Sequence, residues 1–143
     1  MKQKLKLALV GAGERGQYCY APYAKMHGYE IEFVAVADPH KGRREKFVQD
    51  YHVPAEGVFE TAEQFFARPR MADAVLICTQ DSQHYAYACQ AIDLGYSILL
   101  EKPISPSARE CLDLQRRAEE KGTQIMVCHV MRYTKFYRKL KEL

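Results

Sequence analysis

The sequence lacks a strong excess of one charge, and it lacks any apolar run long enough to form a membrane-spanning helix. Its 21 Lys and Arg residues exceed its 18 Asp and Glu residues by three, and both signs are spread along the chain. We therefore expect neither a nucleic-acid partner nor a membrane partner. A secretory signal is not expected either, because the apolar run of "MKQKLKLALVGAG" is short and passes directly into "GERG".

Paired cysteine motifs are also missing. The five cysteines are odd in number and none are spaced as C-x-x-C. Because they lie in segments with apolar periodicity, we expect buried thiols in a reducing compartment, and hence a cytoplasmic protein. These cysteines are Cys19, Cys78, Cys89, Cys111 and Cys128. The histidine spacing indicates no metal site for His27, His40, His52 or His129.

Internal repeats and low-complexity segments are absent, and 143 residues with 48% hydrophobic content are enough to bury one core. Short apolar runs alternate with longer segments of helical periodicity, which is typical of βαβ units. The predicted strands are "KLALVG", "EFVAVAD", "DAVLICT", "SILLEK" and "QIMVCH". Most are continuously apolar, so we expect an α/β fold with a doubly wound parallel sheet, helices on both faces, and a single domain.

Several helix ends carry recognisable signals. Ser82 is a plausible N-cap for the helix in "SQHYAYACQAIDLG", and Gly95 a plausible stop. The next helix ends at Gly122, and its N-cap is either Ser105 or Ser107.

The segment between the second strand and "DAVLICT" contains both helices and a loop. We expect a helix through Tyr51, then a loop around Pro54 and Gly57. A short helix follows and ends before Pro69.

A glycine pattern, "GAGERG", follows the first strand and opens a helical segment. A G-x-G-x-x-G pattern alone is weak, but this position is typical of a phosphate-binding turn. Gly11 allows a sharp turn, Gly13 lacks the Cβ that would keep a pyrophosphate from the backbone, and Gly16 allows close helix–strand contact. Amide groups at the helix start then face the phosphates.

Asp38 ends the second strand, 22 residues after Gly16. A carboxylate at this spacing can accept hydrogen bonds from the adenosine ribose hydroxyls, so the sequence predicts a dinucleotide site. The alternative is that the glycines form a purely structural turn and that Asp38 is the N-cap of a helix beginning at Pro39.

The choice of dinucleotide depends on the charges around Asp38. Its carboxylate would repel a 2′-phosphate, which favours NAD over NADP. Lys41, Arg43 and Arg44 follow closely and could receive such a phosphate, so NADP stays possible.

Four segments together resemble the nucleotide-binding domain of the Gfo/Idh/MocA oxidoreductases, relatives of glucose-fructose oxidoreductase and inositol 2-dehydrogenase. They are "ALVGAGERG", "VAVADP", "AVLICTQDSQHYAYACQAIDLGYSILLEKPIS" and "HVMRY", and the resemblance spans about residues 5 to 135. Its most specific element is "EKP" at residues 101–103. The resemblance implies a Rossmann fold and hydride transfer between a nicotinamide cofactor and a sugar, cyclitol or related polyol.

The resemblance also implies a set of site residues. Thr79 and His84 would lie along the nicotinamide half of the cofactor, and Glu101 and Lys102 beside its ring, with a cis bond before Pro103. The full cofactor-binding set is Gly11, Ala12, Gly13, Glu14, Arg15, Gly16, Asp38, Thr79, His84, Glu101, Lys102 and Arg132. One departure is Thr79-Gln80, where the family commonly has Thr-Pro.

Lys102 is the catalytic candidate. Oxidising an alcohol requires a proton to leave the hydroxyl, and a partly desolvated lysine can hold or relay it, with Glu101 orienting the amine. The alternatives are that Lys102 is a solvated residue at a strand end, and that His84 is a helix-start histidine bonded to backbone.

The family resemblance implies a second domain. Residues 1–131 are expected to form the dinucleotide-binding domain, and residues 132–143, with Phe136 and Leu140 at helical spacing, to lead toward a substrate domain absent from this chain. We therefore expect a fragment of a longer homo-oligomeric oxidoreductase, inactive alone. Two alternatives are a stand-alone NAD-binding or redox-sensing module and an NAD-dependent glycosidase.

Overall fold

The computed structural model describes residues 3–143. Its strands are β1 (Leu5–Val10), β2 (Ile31–Ala37), β3 (Val58–Phe59), β4 (Ala74–Ile77), β5 (Ser97–Leu100) and β6 (Ile125–Val127). Its α-helices are α1 (Pro22–Met26), α2 (Lys41–Tyr51), α3 (Ala62–Phe66), α4 (His84–Asp93), α5 (Ala108–Lys121) and α6 (Lys135–Glu142). A π-helix spans Glu14–Tyr20, and short 3-10 turns span Ala55–Gly57, Asp81–Gln83 and Val130–Tyr133.

The strands form one parallel sheet in the order β3-β2-β1-β4-β5-β6. β1 lies in the middle, where Leu9 is in register with Val36 of β2 on one side and Leu76 of β4 on the other. The strand order reverses between β1 and β4, which is the point where ligands bind in doubly wound folds. The predicted fold class is confirmed, and so are all five predicted strands.

Both faces of the sheet are covered by helices. Ala8 and Val10 belong to one buried cluster and Leu9 to the other, because alternate residues of a strand point to opposite faces. Phe33 and Phe47 pack edge to face in the second cluster, with ring centroids 5.0 Å apart. Burial on both faces explains why most strands are continuously apolar.

One strand, β3, was not among the five predicted strands. It lies directly after Gly57, where a loop was expected. A 3-10 turn at Ala55–Gly57 leads into this two-residue strand, which pairs with the end of β2. A Cβ at Gly57 would lie 2.0 Å from the carbonyl oxygen of Val34, so only glycine fits where the turn passes β2. The short helix predicted before Pro69 is α3.

The predicted helix starts are only partly correct. Ser82 is not an N-cap, because Gln80 and Gln83 form a capping box around a 3-10 turn and α4 begins at His84. Of the two candidates for α5, Ser107 is the N-cap and accepts a hydrogen bond from the Glu110 amide. Gly95 and Gly122 follow their helices with positive φ, as their predicted role as stops requires.

The prediction of five buried thiols is wrong for Cys19, which is exposed. Cys128 is buried, the other three are partly buried, and all five are free thiols. In the described chain no helix is both long and apolar enough to cross a membrane. Residues 3–143 also contain no group of three or more His, Cys, Asp or Glu side chains that could hold a metal ion.

The C-terminal helix, α6, leaves its apolar side chains in solvent. Thr134 caps its start by accepting a hydrogen bond from the Tyr137 amide. Phe136 is 66% exposed and Leu140 50% exposed, so α6 does not pack on the core. The helix predicted for this segment is present.

Candidate functional site

The three glycines after β1 differ in what they do. Gly11 has φ +94°, and a Cβ there would lie 2.5 Å from the carbonyl oxygen of Cys78. A Cβ on Gly16 would lie 2.4 Å from the carbonyl oxygen of Gly11 and 2.8 Å from Cδ1 of Leu9. The sharp turn and the close helix–strand contact predicted for these two positions are therefore confirmed. Packing alone fixes both as glycine.

Gly13 is different, because no packing requirement explains it. Its φ is −79°, and a Cβ there would come no nearer than 3.9 Å to another part of the protein, the Nη1 atom of Arg43. The backbone at this point is thus accessible from outside. An open approach to the backbone is what a phosphate-binding turn needs.

Asp38 is buried, and both of its carboxylate oxygens are held. Oδ2 accepts a hydrogen bond from the Ala12 amide at 2.8 Å, and Oδ1 accepts one from the His40 amide at 2.8 Å. The N-cap of α2 is His40, whose Nδ1 accepts from the Arg43 amide, so the alternative that Asp38 caps this helix is wrong. Asp38 instead ties the glycine turn to the end of β2.

A cavity of about 250 Å³ opens at the carboxyl ends of β1, β2 and β4, next to Gly11 and Thr79. The Thr79 hydroxyl oxygen is buried and has no hydrogen-bond partner among residues 3–143. Tyr87 closes the cavity and donates a hydrogen bond to Glu63 at 2.7 Å. Burial and this bond raise the pKa of Tyr87 to about 12. The cavity therefore lies beside the glycine turn, with one unpartnered polar group next to it.

Of the three basic residues near Asp38, Arg43 is the one that reaches the glycine turn. Arg44 is buried; it donates to the carbonyl oxygen of Asp38 at 2.7 Å and pairs with Glu60 at 3.3 Å. Lys41 is exposed and forms a long surface pair with Glu45 at 3.7 Å. Arg43 is exposed and reaches over Gly13, with no ion pair inside the described range. Its position makes Arg43 the first candidate to contact a 2′-phosphate.

His84 is 1% exposed and bridges two loops. Its Nδ1 lies 2.6 Å from the carbonyl oxygen of Pro103, and its Nε2 lies 3.2 Å from that of Thr79. Both ring nitrogens thus lie within hydrogen-bond distance of a backbone carbonyl oxygen, which agrees with the alternative that His84 is a helix-start histidine bonded to backbone. His84 fixes the loop after β4 against the loop after β5.

Glu101 and Lys102 follow β5 and face different surroundings. Glu101 is 6% exposed, and its Oε2 accepts a hydrogen bond from the Lys102 amide at 2.9 Å. The Lys102 side chain is exposed and forms no ion pair within residues 3–143. The Lys102-Pro103 bond is cis, as the family resemblance implied.

Tyr20 is a site residue that sequence reasoning missed. Its hydroxyl donates a hydrogen bond to Oε1 of Glu101, which lies 81 positions further along the chain. Local periodicity carries no signal for such a pair. The structure thus joins the helix after the glycine turn to the "EKP" segment.

The remaining candidates lie around this group. Ala12 is buried within the glycine turn, whereas Glu14 and Arg15 are exposed. A hydrogen bond to Cys19, and after it the charge of Glu101, raise the pKa of Arg15. Arg132 is exposed in the 3-10 turn after β6, and no contact connects it with the glycine turn.

Comparisons with known proteins agree with this geometry. The family described as "Oxidoreductase family, NAD-binding Rossmann fold" (GFO_IDH_MocA) matches residues 5–129. Inositol 2-dehydrogenase of Pseudomonas syringae is 31% identical over 139 residues, which is 96% of this chain and 40% of that protein. The NADP(+)-dependent scyllo-inositol 2-dehydrogenase IolW of Bacillus subtilis is 26% identical over 140 residues, 97% of this chain and 37% of that protein.

The solved structures show the same fold. A dehydrogenase from Clostridium difficile superposes with a TM-score of 0.81 at 23% identity, covering 98% of this chain and 44% of that one. The chain therefore spans less than half the length of these relatives. The match over residues 5–129 includes the glycine turn, Asp38 and "EKP". The chain belongs to the Gfo/Idh/MocA oxidoreductase family and carries its NAD-binding Rossmann domain.

Proposed function

We propose that this chain is the cofactor-binding domain of an NAD(P)-dependent oxidoreductase that moves a hydride to or from an inositol, a sugar or a related polyol. The observation that carries the proposal is the open backbone at Gly13 beside the buried carboxylate of Asp38. The names of the inositol dehydrogenases among its relatives support the substrate class.

Different residues at the carboxyl edge of the sheet would contact different parts of the dinucleotide. The amides of residues 13–16 would face the pyrophosphate, because Gly13 leaves the backbone accessible, whereas the Gly11 and Ala12 amides donate to Ala37 and Asp38. Asp38 would accept hydrogen bonds from the adenosine ribose, and its two backbone contacts already hold the carboxylate in place. Thr79 would gain the partner its buried hydroxyl lacks.

The chemistry is assigned to Lys102. The cofactor, when bound, supplies the hydride acceptor or donor. The exposed Lys102 amine would take the proton from the substrate hydroxyl or return it, and Glu101 would orient the lysine through its backbone. His84 and Thr79 would fix the loop along which the nicotinamide half lies.

The surroundings of Asp38 support NAD as the preferred cofactor, and Arg43 keeps NADP possible. The Asp38 carboxylate disfavours a second phosphate on the ribose it contacts. Arg44 is held by Asp38 and Glu60, and Arg43 reaches the glycine turn, so Arg43 would contribute most to binding of NADP.

The proposal also covers the organisation of the whole protein. Residues 1–131 would be the dinucleotide-binding domain, and 132–143 would connect it to a substrate domain. The exposed apolar residues of α6 support such a contact, and also a homo-oligomer. Five free thiols support a reducing, cytoplasmic setting.

The first test is calorimetric titration of the 143-residue chain with NADH and, separately, with NADPH. We expect saturable binding of both, with NADH preferred, and little or no turnover of inositols or sugars. Lys102→Ala should keep NADH affinity within about threefold, because the amine serves the substrate rather than the cofactor. A folded chain that binds neither dinucleotide would contradict the proposal.

A further inference from the structure

The hydrogen bond between Tyr20 and Glu101 lies at the junction of the two functional segments. Tyr20 is the last residue of the π-helix that begins at the glycine turn. Within this helix the Ala21 amide donates to the carbonyl oxygen of Gly16 at 3.0 Å, a widened turn of a kind often found at functional sites. The phenol of Tyr20 reaches Oε1 of Glu101 from this helix.

Glu101 depends on this contact for its side-chain partner. Its carboxylate is nearly buried, and no Lys or Arg of residues 3–143 forms an ion pair with it. One oxygen accepts from Tyr20 and the other from the Lys102 amide. A buried carboxylate needs such donors, since an unpartnered charge inside a protein is costly.

The phenol is a dependable donor at neutral pH. Burial, followed by hydrogen bonds with Cys128 and Glu101, raises the pKa of Tyr20 well above its ordinary value. Tyr20 therefore keeps its proton and donates a hydrogen bond to the Glu101 carboxylate. The Lys102 side chain is exposed and forms no ion pair with Glu101 within residues 3–143.

We propose that Tyr20 is a positioning residue for Lys102: it holds Glu101, and Glu101 in turn fixes the backbone of Lys102 beside the nicotinamide half of the site. This inference rests on the proposed function. Without the phenol, Oε1 of Glu101 must turn toward water or toward a cation. Arg15 is one such cation, since a hydrogen bond to Cys19 and, after it, the charge of Glu101 raise its pKa. A Glu101 side chain that turned away would release the Lys102 amide.

The test compares two probes on the 143-residue chain: NADH, and ADP-ribose, which lacks the nicotinamide. We expect Tyr20→Phe to weaken NADH binding about tenfold, because the backbone of residues 101–103, which would lie beside the nicotinamide ring, is no longer held in place through Glu101. ADP-ribose binding should change less than about twofold, because the turn and Asp38 are untouched. Tyr18→Phe, on an exposed residue of the same helix, is the matched control and should change neither.

A second readout needs no cofactor. Amide hydrogen exchange should show the Lys102 amide at least about tenfold less protected in Tyr20→Phe than in the wild type or in Tyr18→Phe. If Tyr20→Phe does not fold, Glu101→Gln serves instead. An amide offers one acceptor oxygen for two donors, so the same selective loss of NADH binding is expected.

The outcomes separate the two proposals. Equal losses of NADH and ADP-ribose affinity, or none, would overturn the positioning role and leave the proposed function standing. A wild-type chain that binds neither probe would overturn both.

Discussion

Two regions at the carboxyl edge of the sheet are built in opposite ways. The turn side, residues 11–16 with Asp38, has its carboxylate buried and bonded to backbone. The lysine side, residues 101–103 with 128–143, has its one candidate catalytic amine in solvent and leaves the apolar side chains of α6 uncovered. The residues proposed to recognise the cofactor thus belong to this domain's core, whereas the lysine proposed for the chemistry lies on its surface.

This difference predicts where substitutions affect stability and where they affect binding. On the turn side the same backbone contributes to stability and to cofactor binding. Single substitutions are therefore needed to separate the effect on stability from the effect on binding. At the exposed positions of the lysine side, Lys102 and the residues of α6, we expect little effect on stability.

The largest expected effect is that of Gly11→Ala, which tests whether the turn is part of the core. The new Cβ would lie 2.5 Å from the Cys78 carbonyl oxygen, at φ +94°. We expect a loss of about 3 kcal/mol in the free energy of unfolding. Urea denaturation measures this loss. A change below about 1 kcal/mol would contradict the conclusion that the turn is part of the core.

Gly13→Ala should show the opposite behaviour. Its Cβ meets no protein atom within 3.9 Å, so stability should change by less than about 1 kcal/mol. NADH affinity should fall roughly 30-fold, or about 2 kcal/mol, because the methyl group occupies the approach to the backbone. Gly28→Ala, away from the turn, is the control for both titrations. Unchanged NADH affinity in Gly13→Ala would show that the cofactor does not approach the backbone at this position.

Asp38→Ser and Arg43→Ala examine the choice of cofactor. Removing the carboxylate should narrow the gap between NADH and NADPH affinities about tenfold. Arg43→Ala should weaken NADPH more than NADH, by about threefold in the ratio of the two affinities, since the exposed guanidinium would lose the extra phosphate as well as any contact with the shared pyrophosphate. Lys41→Ala is the matched control. An unaltered NADH-to-NADPH ratio in Asp38→Ser would contradict the role of this carboxylate.

The smallest effect is expected on the lysine side. Leu140 is half exposed, so Leu140→Ala should change the free energy of unfolding by less than about 0.5 kcal/mol. Leu114→Ala, on the buried face of α5, should cost about 2–5 kcal/mol. Thermal unfolding of both variants gives the comparison, and similar losses would mean that α6 packs on the core.

Much of this site could be predicted because its signals are local. Gly11 and Gly16 stand between a strand and a helix, and Asp38 ends the next strand, so spacing alone brings them to one edge. β3 was missed because two residues carry no periodicity. The prediction of Ser82 as the N-cap was wrong because Gln80 and Gln83, which lie on either side of it, form a capping box around a 3-10 turn.

The missed features depend on contacts between distant segments. The Tyr20–Glu101 bond joins the end of the π-helix to the residue after β5, and only the folded sheet brings these two segments together. Cys19 lies in an apolar segment yet is exposed, because the helix after the turn is a π-helix and does not follow the 3.6-residue period. The occupied ring nitrogens of His84 likewise follow from two loops meeting.

The central place of β1 also sets the order in which the sheet can assemble during synthesis. β4 begins 64 residues after β1 ends. A ribosome adding about 5 to 20 residues per second needs roughly 3 to 13 seconds to make that stretch. Throughout that time one edge of β1 is open, although Leu9 and Val10 end up fully hidden. The strand that carries the glycine turn is therefore the part of the nascent chain that waits longest for its second neighbour.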